Sequence, residues 1–117
     1  MNTMPVSVNE AISGLGELHD TDVEIEGILH FELEDVAIYH FPVAEQVNGY
    51  DSSIWLAVGS GSLAFDPQIC ARLNGKRVSV RGKLLRPEPG FGGCGHMSLW
   101  PAAVLARTLD RAEKETE

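Results

Sequence analysis

The run Gly90-Phe91-Gly92-Gly93-Cys94-Gly95 spells G-x-G-x-x-G, the spacing with which a nucleotide-binding turn brings backbone N–H groups against a pyrophosphate. That chemistry needs a strand before the turn and a helix opening after it. Here a strand is expected to follow, so the match carries no dinucleotide site. A phosphate loop would continue with Lys and Ser or Thr, whereas His96 and Met97 follow the last glycine. Cys94 and His96 are two apart, which places both on one face of an extended strand, and Cys70 adds a third candidate ligand. Neither paired Cys-x-x-Cys nor His-x-x-x-His spacing is present, so a zinc site is not indicated. A nucleophile pair of Cys94 and His96 lacks an orienting carboxylate and an anion-stabilising loop. His19, His30 and His40 read as surface or partly buried residues. Glu24 and Glu26 share a flat strand face rather than a cleft, which gives acid/base catalysis no geometry. The expectation is a protein with no catalytic residue, no metal site and no cofactor.

A chain of 117 residues, 44% apolar and 22% charged, has the proportions of one ordinary domain. A domain of this length buries roughly 65% of the surface its unfolded chain exposes, so it needs no disulfide or metal staple. The reading is a single domain over 1–117, with a β-barrel at about 20–109 and a charged, frayed tail at 110–117. Met1-Asn2-Thr3-Met4-Pro5 lacks the basic start and apolar core of a secretory signal. No segment approaches the ~20 consecutive apolar residues that span a bilayer. A cytoplasmic protein with reduced Cys70 and Cys94 is expected, with no membrane partner.

Charge is segregated along the chain. Residues 1–71 hold twelve acids and no Lys or Arg, while the remainder holds nine bases and five acids, giving formal charges of −12 and +4. Such asymmetry can signal a charged partner, or two halves that neutralise each other across strands. The net charge of −8 repels nonspecific nucleic acid and anionic membrane.

Ser7 followed by Glu10 has capping-box spacing and starts a short helix to about Gly14. From Val23 the pattern alternates: Val23, Ile25, Gly27, Leu29, Phe31 and Leu33 fall on one face, Glu24, Glu26, His30, Glu32 and Glu34 on the other. This is a long strand with one buried face. Val36–Pro42 reads as a second strand and Ile54–Val58 as a third, separated by a polar loop carrying the turn dipeptide Asn48-Gly49. Asp66, Pro67 and Asn74-Gly75 are start and stop signals for a helix over 67–73, expected to bury Ile69, Cys70 and Leu73. Lys76–Arg86 is a fourth strand, with Val78 and Val80 inward, Arg77 and Arg81 outward, and Gly82 marking a bulge. A fifth strand is expected from near His96 through Trp100, with Pro101 at an edge or bulge, and 102–109 either continuing it or turning helical.

The order of elements, with Val23-Glu24-Ile25-Glu26-Gly27 opening a long first strand, the Asp66–Leu73 helix and the phrase Leu73-Asn74-Gly75-Lys76-Arg77-Val78-Ser79-Val80-Arg81-Gly82, resembles the OB-fold. It is similar to small bacterial OB-fold proteins of the anticodon-binding and single-strand-binding class. The resemblance covers roughly residues 20–107 and implies an all-β, five-stranded Greek-key barrel, with one short helix between strands three and four and another at the N-terminus. It further implies that strands one and four pair, which sets Glu24 and Glu26 beside Arg77 and Arg81.

OB-folds bind on strands two and three and the adjoining loops, which here points to Tyr39, Phe41 and Trp55 with loop residue Phe91. Strands two and three contain no Lys or Arg to follow phosphates. The expectation is a noncatalytic module for protein–protein interaction, its partner basic, with a homodimer through a sheet edge as a further arrangement. The alternative is a binder of single-stranded DNA or RNA using Lys76, Lys83 and Arg86.

Overall fold

A computed structural model describes residues 5–32, 35–41, 52–57, 67–87, 90, 92–94 and 100–112, with the side chains of Glu32, Asp35 and Pro67 left aside. The elements are β1 (Val6–Ser7), α1 (Val8–Ser13), α2 (Leu15–Leu18), β2 (Asp22–Glu32), β3 (Asp35–Tyr39), β4 (Ser53–Ala57), α3 (Pro67–Leu73), β5 (Arg77–Leu85) and β6 (Ala103–Arg111). They make a mainly β protein with a few short helices. All six strands belong to one sheet in the order β1-β2-β3-β4-β6-β5, and a further pairing of β2 with β5 bends it into a partial ring.

The alternation in β2 is what lets one strand serve two neighbours. Its first half pairs antiparallel with β5 from Asp22↔Lys83 to Ile28↔Arg77, and its second half pairs with β3 from Ile28↔Tyr39 to Glu32↔Asp35. Val23, Ile25, Gly27 and Leu29 are buried while the residues between them are not. At the crossover sits Gly27, where a Cβ would meet Ile38 Cγ2, the Tyr39 carbonyl oxygen at 2.9 Å and Val8 Cγ2 at 2.9 Å. Side-chain-free backbone is what lets β3 and α1 close over β2 there.

Where five strands were expected, the described residues hold six, because Val6 and Ser7 pair parallel with Ile25 and Glu26 along the stretch of β2 that β3 does not reach. Directly after it, the Ser7 hydroxyl accepts from the Glu10 N–H (3.1 Å) and the Glu10 carboxylate accepts from the Ser7 N–H (2.8 Å), which is the capping box read from the spacing. Val8 and Ala11 face the core. α2, a four-residue turn containing Gly16, had no signal in the sequence: helix propensity is low there and tertiary packing of Leu15 and Leu18 supports it.

α3 has the bounds expected, but its burial differs. Cys70 is 1% exposed and Leu73 partly buried, whereas Ile69 is 44% exposed and faces outward, so only one turn of this short helix touches the core. The turn after it has a structural role: the Gly75 N–H (φ +82°) donates to Leu29 O, the Leu29 N–H to Lys76 O, and the Phe31 N–H to Asn74 Oδ1. These bonds continue the ladder of β2 past the start of β5.

The strand expected from near His96 through Trp100 falls mostly on residues 95–99, outside the described residues, with Trp100 in an isolated bridge to Cys94; of the two continuations left open over 102–109, the structure shows the strand, as Ala103–Arg111. It pairs parallel with β4 and antiparallel with β5, so Ala102, Ala103, Val104 and Ala106 are all buried and no period of two shows in the sequence. The register slips at Arg81/Gly82, leaving Arg107 as the extra residue of β6, the irregularity Gly82 signalled. β6 also runs through Asp110 and Arg111, opposite Ser79 and Val78, into what was expected as a frayed tail.

Candidate functional site

The aromatic residues singled out on strands two and three do not form an open platform. Along β3, Ile38 points into the main core, while Ala37 and Tyr39 point to the opposite face and are themselves 0% and 3% exposed. Trp55 of β4 lies opposite Ala37. What covers this outer face is Trp100, a residue sequence reasoning missed: it is 1% exposed, and its ring stands 4.7 Å from that of Trp55 at 50°. His30 of β2 completes the patch, its ring 5.3 Å from Tyr39.

The chain path explains why Trp100 arrives there. Ala102 O accepts from the Trp55 N–H and Trp55 pairs with Ala103, so a residue just ahead of β6 is delivered beside Trp55. The Cys94 N–H donates to Trp100 O (2.6 Å) and the Trp100 N–H to Cys94 O (3.0 Å), which returns the chain across the same face. Burying an indole of 150–250 Å² is worth roughly 4–6 kcal/mol at ~25 cal/mol/Å², against about 1–3 kcal/mol for stacking one base.

Of the other residues expected to bind, Phe41 is 38% exposed and stands edge-on to His40, while Phe91 lies outside the described residues. His40 is fixed from below, its Nδ1 accepting the Asn9 N–H at 3.2 Å. Thus Tyr39 and Trp55 are brought together, but under cover, and Phe41 sits beyond the end of β3.

The outer face of β2, β5 and β6 carries most of the described charge. Glu24 lies opposite Arg81 in the register, forms an ion pair with it at 3.4 Å and accepts from the Ser79 hydroxyl at 2.8 Å; the Glu24 side chain is only 14% exposed, that of Arg81 67%. Asp22 lies opposite Lys83 and accepts from Arg107 at 2.7 Å. The Arg107 hydrogen bond, with the nearby positive charges of Arg107 and Lys83, holds the Asp22 carboxyl below the usual aspartate value. Arg77 sits opposite Ile28 rather than Glu26, yet it lines a recess with Glu26, Pro5, Val6 and Ser7. Beside it an open groove of about 320 Å³ mixes Glu24, Glu26 and Asp110 with Arg81 and Arg111. Acids of the early half and bases of the late half therefore alternate on one surface.

The three cations of the alternative nucleic-acid site are not gathered. Lys76 precedes β5, Lys83 lies opposite Asp22, and Arg86 follows β5's end, with seven residues or roughly 23 Å of strand between the two lysines. Lys76 and Arg86 are exposed. Cys70 is buried and Cys94 partly so, and no disulfide joins them; Gly95 and His96 lie outside the described residues. Among the described residues no three His, Cys, Asp or Glu side chains are grouped to hold a metal ion, and no helix is long and apolar enough to cross a membrane.

No family model matches the sequence, and no curated protein matches it. Among solved structures, the fold is similar to a chain described as a putative aspartyl-tRNA synthetase from Leishmania major Friedlin, with a TM-score of 0.51 and 13% sequence identity over 94% of the present chain. The present chain spans 21% of that one. The likeness is one of fold, and it joins this partial ring of strands to a segment of a much larger protein.

Proposed function

We propose that the chain is a noncatalytic OB-like binding module whose partner is another protein. The order β2-β3-β4-β6-β5 with return to β2, and a parallel pairing of β4 with β6, supports an OB-like Greek-key barrel beneath the coarser description of a partial ring. The observation that carries the choice of partner is the pairing of Glu24 with Arg81 across β2 and β5. It intersperses the cations of the late half with acids, where a single-strand binder requires an unbalanced positive groove. The exposed acids Glu10, Glu17 and Asp20, near the α1–α2 end, have no Lys or Arg among their neighbours in sequence, Asp20 lying 3.4 Å from His19 Nδ1, and suit a basic protein surface.

A second reading, binding of single-stranded nucleic acid, is favoured by one observation: the fold likeness to a tRNA synthetase chain, a class of protein whose anticodon-binding domains are OB-folds. Exposed Lys76 and Arg86 would then contribute phosphate contacts.

Affinity capture with the tagged chain from a lysate divided into nuclease-treated and untreated halves separates the two. Proteins retained equally in both halves, and then bound directly when purified, are the expected result. Recovery that disappears with nuclease would overturn the protein reading in favour of the second.

A further inference from the structure

We infer that the outer face of β2, β5 and β6 seats an extended segment of a protein partner, one that carries an acidic, a basic and an acidic side chain at every second position. The inference rests on reading the chain as a protein-binding module, and it names the surface and the chemistry of that contact.

The registers set the outward side chains in rows across the three strands. Glu24, Arg81 and Thr108 form one row and Glu26, Ser79 and Asp110 the next; Ile28 and Arg77 form a third with Ala112, whose N–H donates to Arg77 O. In the first row Glu24 is drawn in, 14% exposed and held by the Ser79 hydroxyl, so the charge offered to solvent is that of Arg81, 67% exposed. The second row is acidic. Glu26 lies between Ser7 and Ser79, and Asp110 lies opposite Ser79, so each has a hydroxyl residue rather than a base across the strand. In the third row Arg77 is exposed and its neighbours across the strands are uncharged. Along the strands the face therefore presents positive, negative and positive charge in turn.

Ser79, the shortest side chain of the acidic row, also makes room. It lines the groove of about 320 Å³, and the recess beside Pro5 shares Glu26 with that groove and carries it on to Arg77. Rows stand two residues apart, roughly 6.8 Å along a strand, which is the spacing at which an extended chain repeats side chains on one face. A partner segment lying along β5 thus sets an acid over Arg81, a base between Glu26 and Asp110, and a second acid over Arg77. A phosphate backbone does not match, because the acidic row repels what Arg81 and Arg77 attract. Pairing of this kind fixes register and the choice of partner more than it adds affinity.

Amide chemical-shift mapping on the full chain tests the inference, with short capped threonine-rich peptides as probes. A peptide with Glu, Lys and Glu at every second position is expected to give saturable shifts confined to the three rows. Its affinity should exceed about fivefold that of a peptide with the same three residues adjacent, and that of one with Lys, Glu and Lys at every second position. No saturable shift in the rows, or equal affinity for all three peptides, overturns the inference; free lysine binding as well as the first peptide overturns the extended segment as occupant. The double variant Glu26→Lys with Asp110→Lys, checked for retained β circular dichroism, should instead prefer a peptide with Glu at all three positions. A folded variant that keeps the native preference overturns the inference. Should that variant fail to fold, Asp110→Asn decides: a loss of about two- to fivefold in affinity for the first peptide is expected, and unchanged affinity overturns the inference. Failure of the protein-binding reading shows separately, as nuclease-sensitive recovery in the capture experiment. A partner captured equally by the native chain and by the folded double variant overturns this face while leaving that reading intact.

Discussion

At Gly82 any side chain would collide with the Leu105 carbonyl, because β6 crosses there at its register slip. Gly82→Ala is therefore expected to lower stability by about 1–3 kcal/mol, the cost of forcing backbone apart in a packed sheet, read as a lower urea midpoint. Gly27→Ala should cost a similar amount, since its Cβ would press on the Tyr39 carbonyl and on Val8. Asp22 adds a pH dependence. Its carboxyl titrates below the ordinary value in the folded chain because of Arg107, so the folded state favours the ionised form. The stabilisation it gives is present at neutral pH and lost as pH falls through the lowered folded value. Asp22→Asn should accordingly be less stable than the native chain at neutral pH and equal to it in strong acid; a difference that persisted in acid would assign the effect to packing instead. Asp22 is exposed, so the effect is small.

Among the elements, those whose signal is local were legible in the sequence. α1 announces itself through Ser7 and Glu10, α3 through Pro67 and the Asn74-Gly75 stop, and β2 through alternation over its full length. β6 stayed open between strand and helix over 102–109 because it is flanked by β4 and β5 and buried on both faces at its start, which erases the period of two. The aromatic residues were read as a site because OB-like topology points to strands two and three. Their burial depends on Trp100 folding back from a distant part of the chain, a contact no local pattern encodes. Ile69 failed for a related reason: seven residues make two turns, and the sheet touches only the side bearing Cys70. That placement predicts that Ile69→Gln changes stability by no more than about 0.5 kcal/mol. Cys70→Phe, which forces a larger ring into a fully buried contact, should cost about 1–3 kcal/mol. Thermal unfolding of the two variants side by side checks the facing of α3.

Over the whole molecule, a chain of net charge −8 whose halves carry opposite sign folds so that the halves lie strand against strand. The segregated charge was visible in the sequence, but which strands meet came from the OB-fold resemblance, and it held for Glu24 with Arg81 while Glu26 lies opposite Ser79 and Arg77 opposite Ile28. Glu24 and Arg81 should show a coupling of about 0.2–1 kcal/mol in a double-mutant cycle, because Arg81 remains largely in water. Reversing both charges should recover most of what either reversal loses. The central claim is that this pairing leaves the protein without a positive track for phosphates. Fluorescence anisotropy of labelled single-stranded DNA and RNA, titrated with the native chain at low salt, measures it most directly. The account predicts no saturable binding. Saturable, salt-sensitive binding that is abolished by the double substitution Arg77→Glu and Arg81→Glu would contradict it.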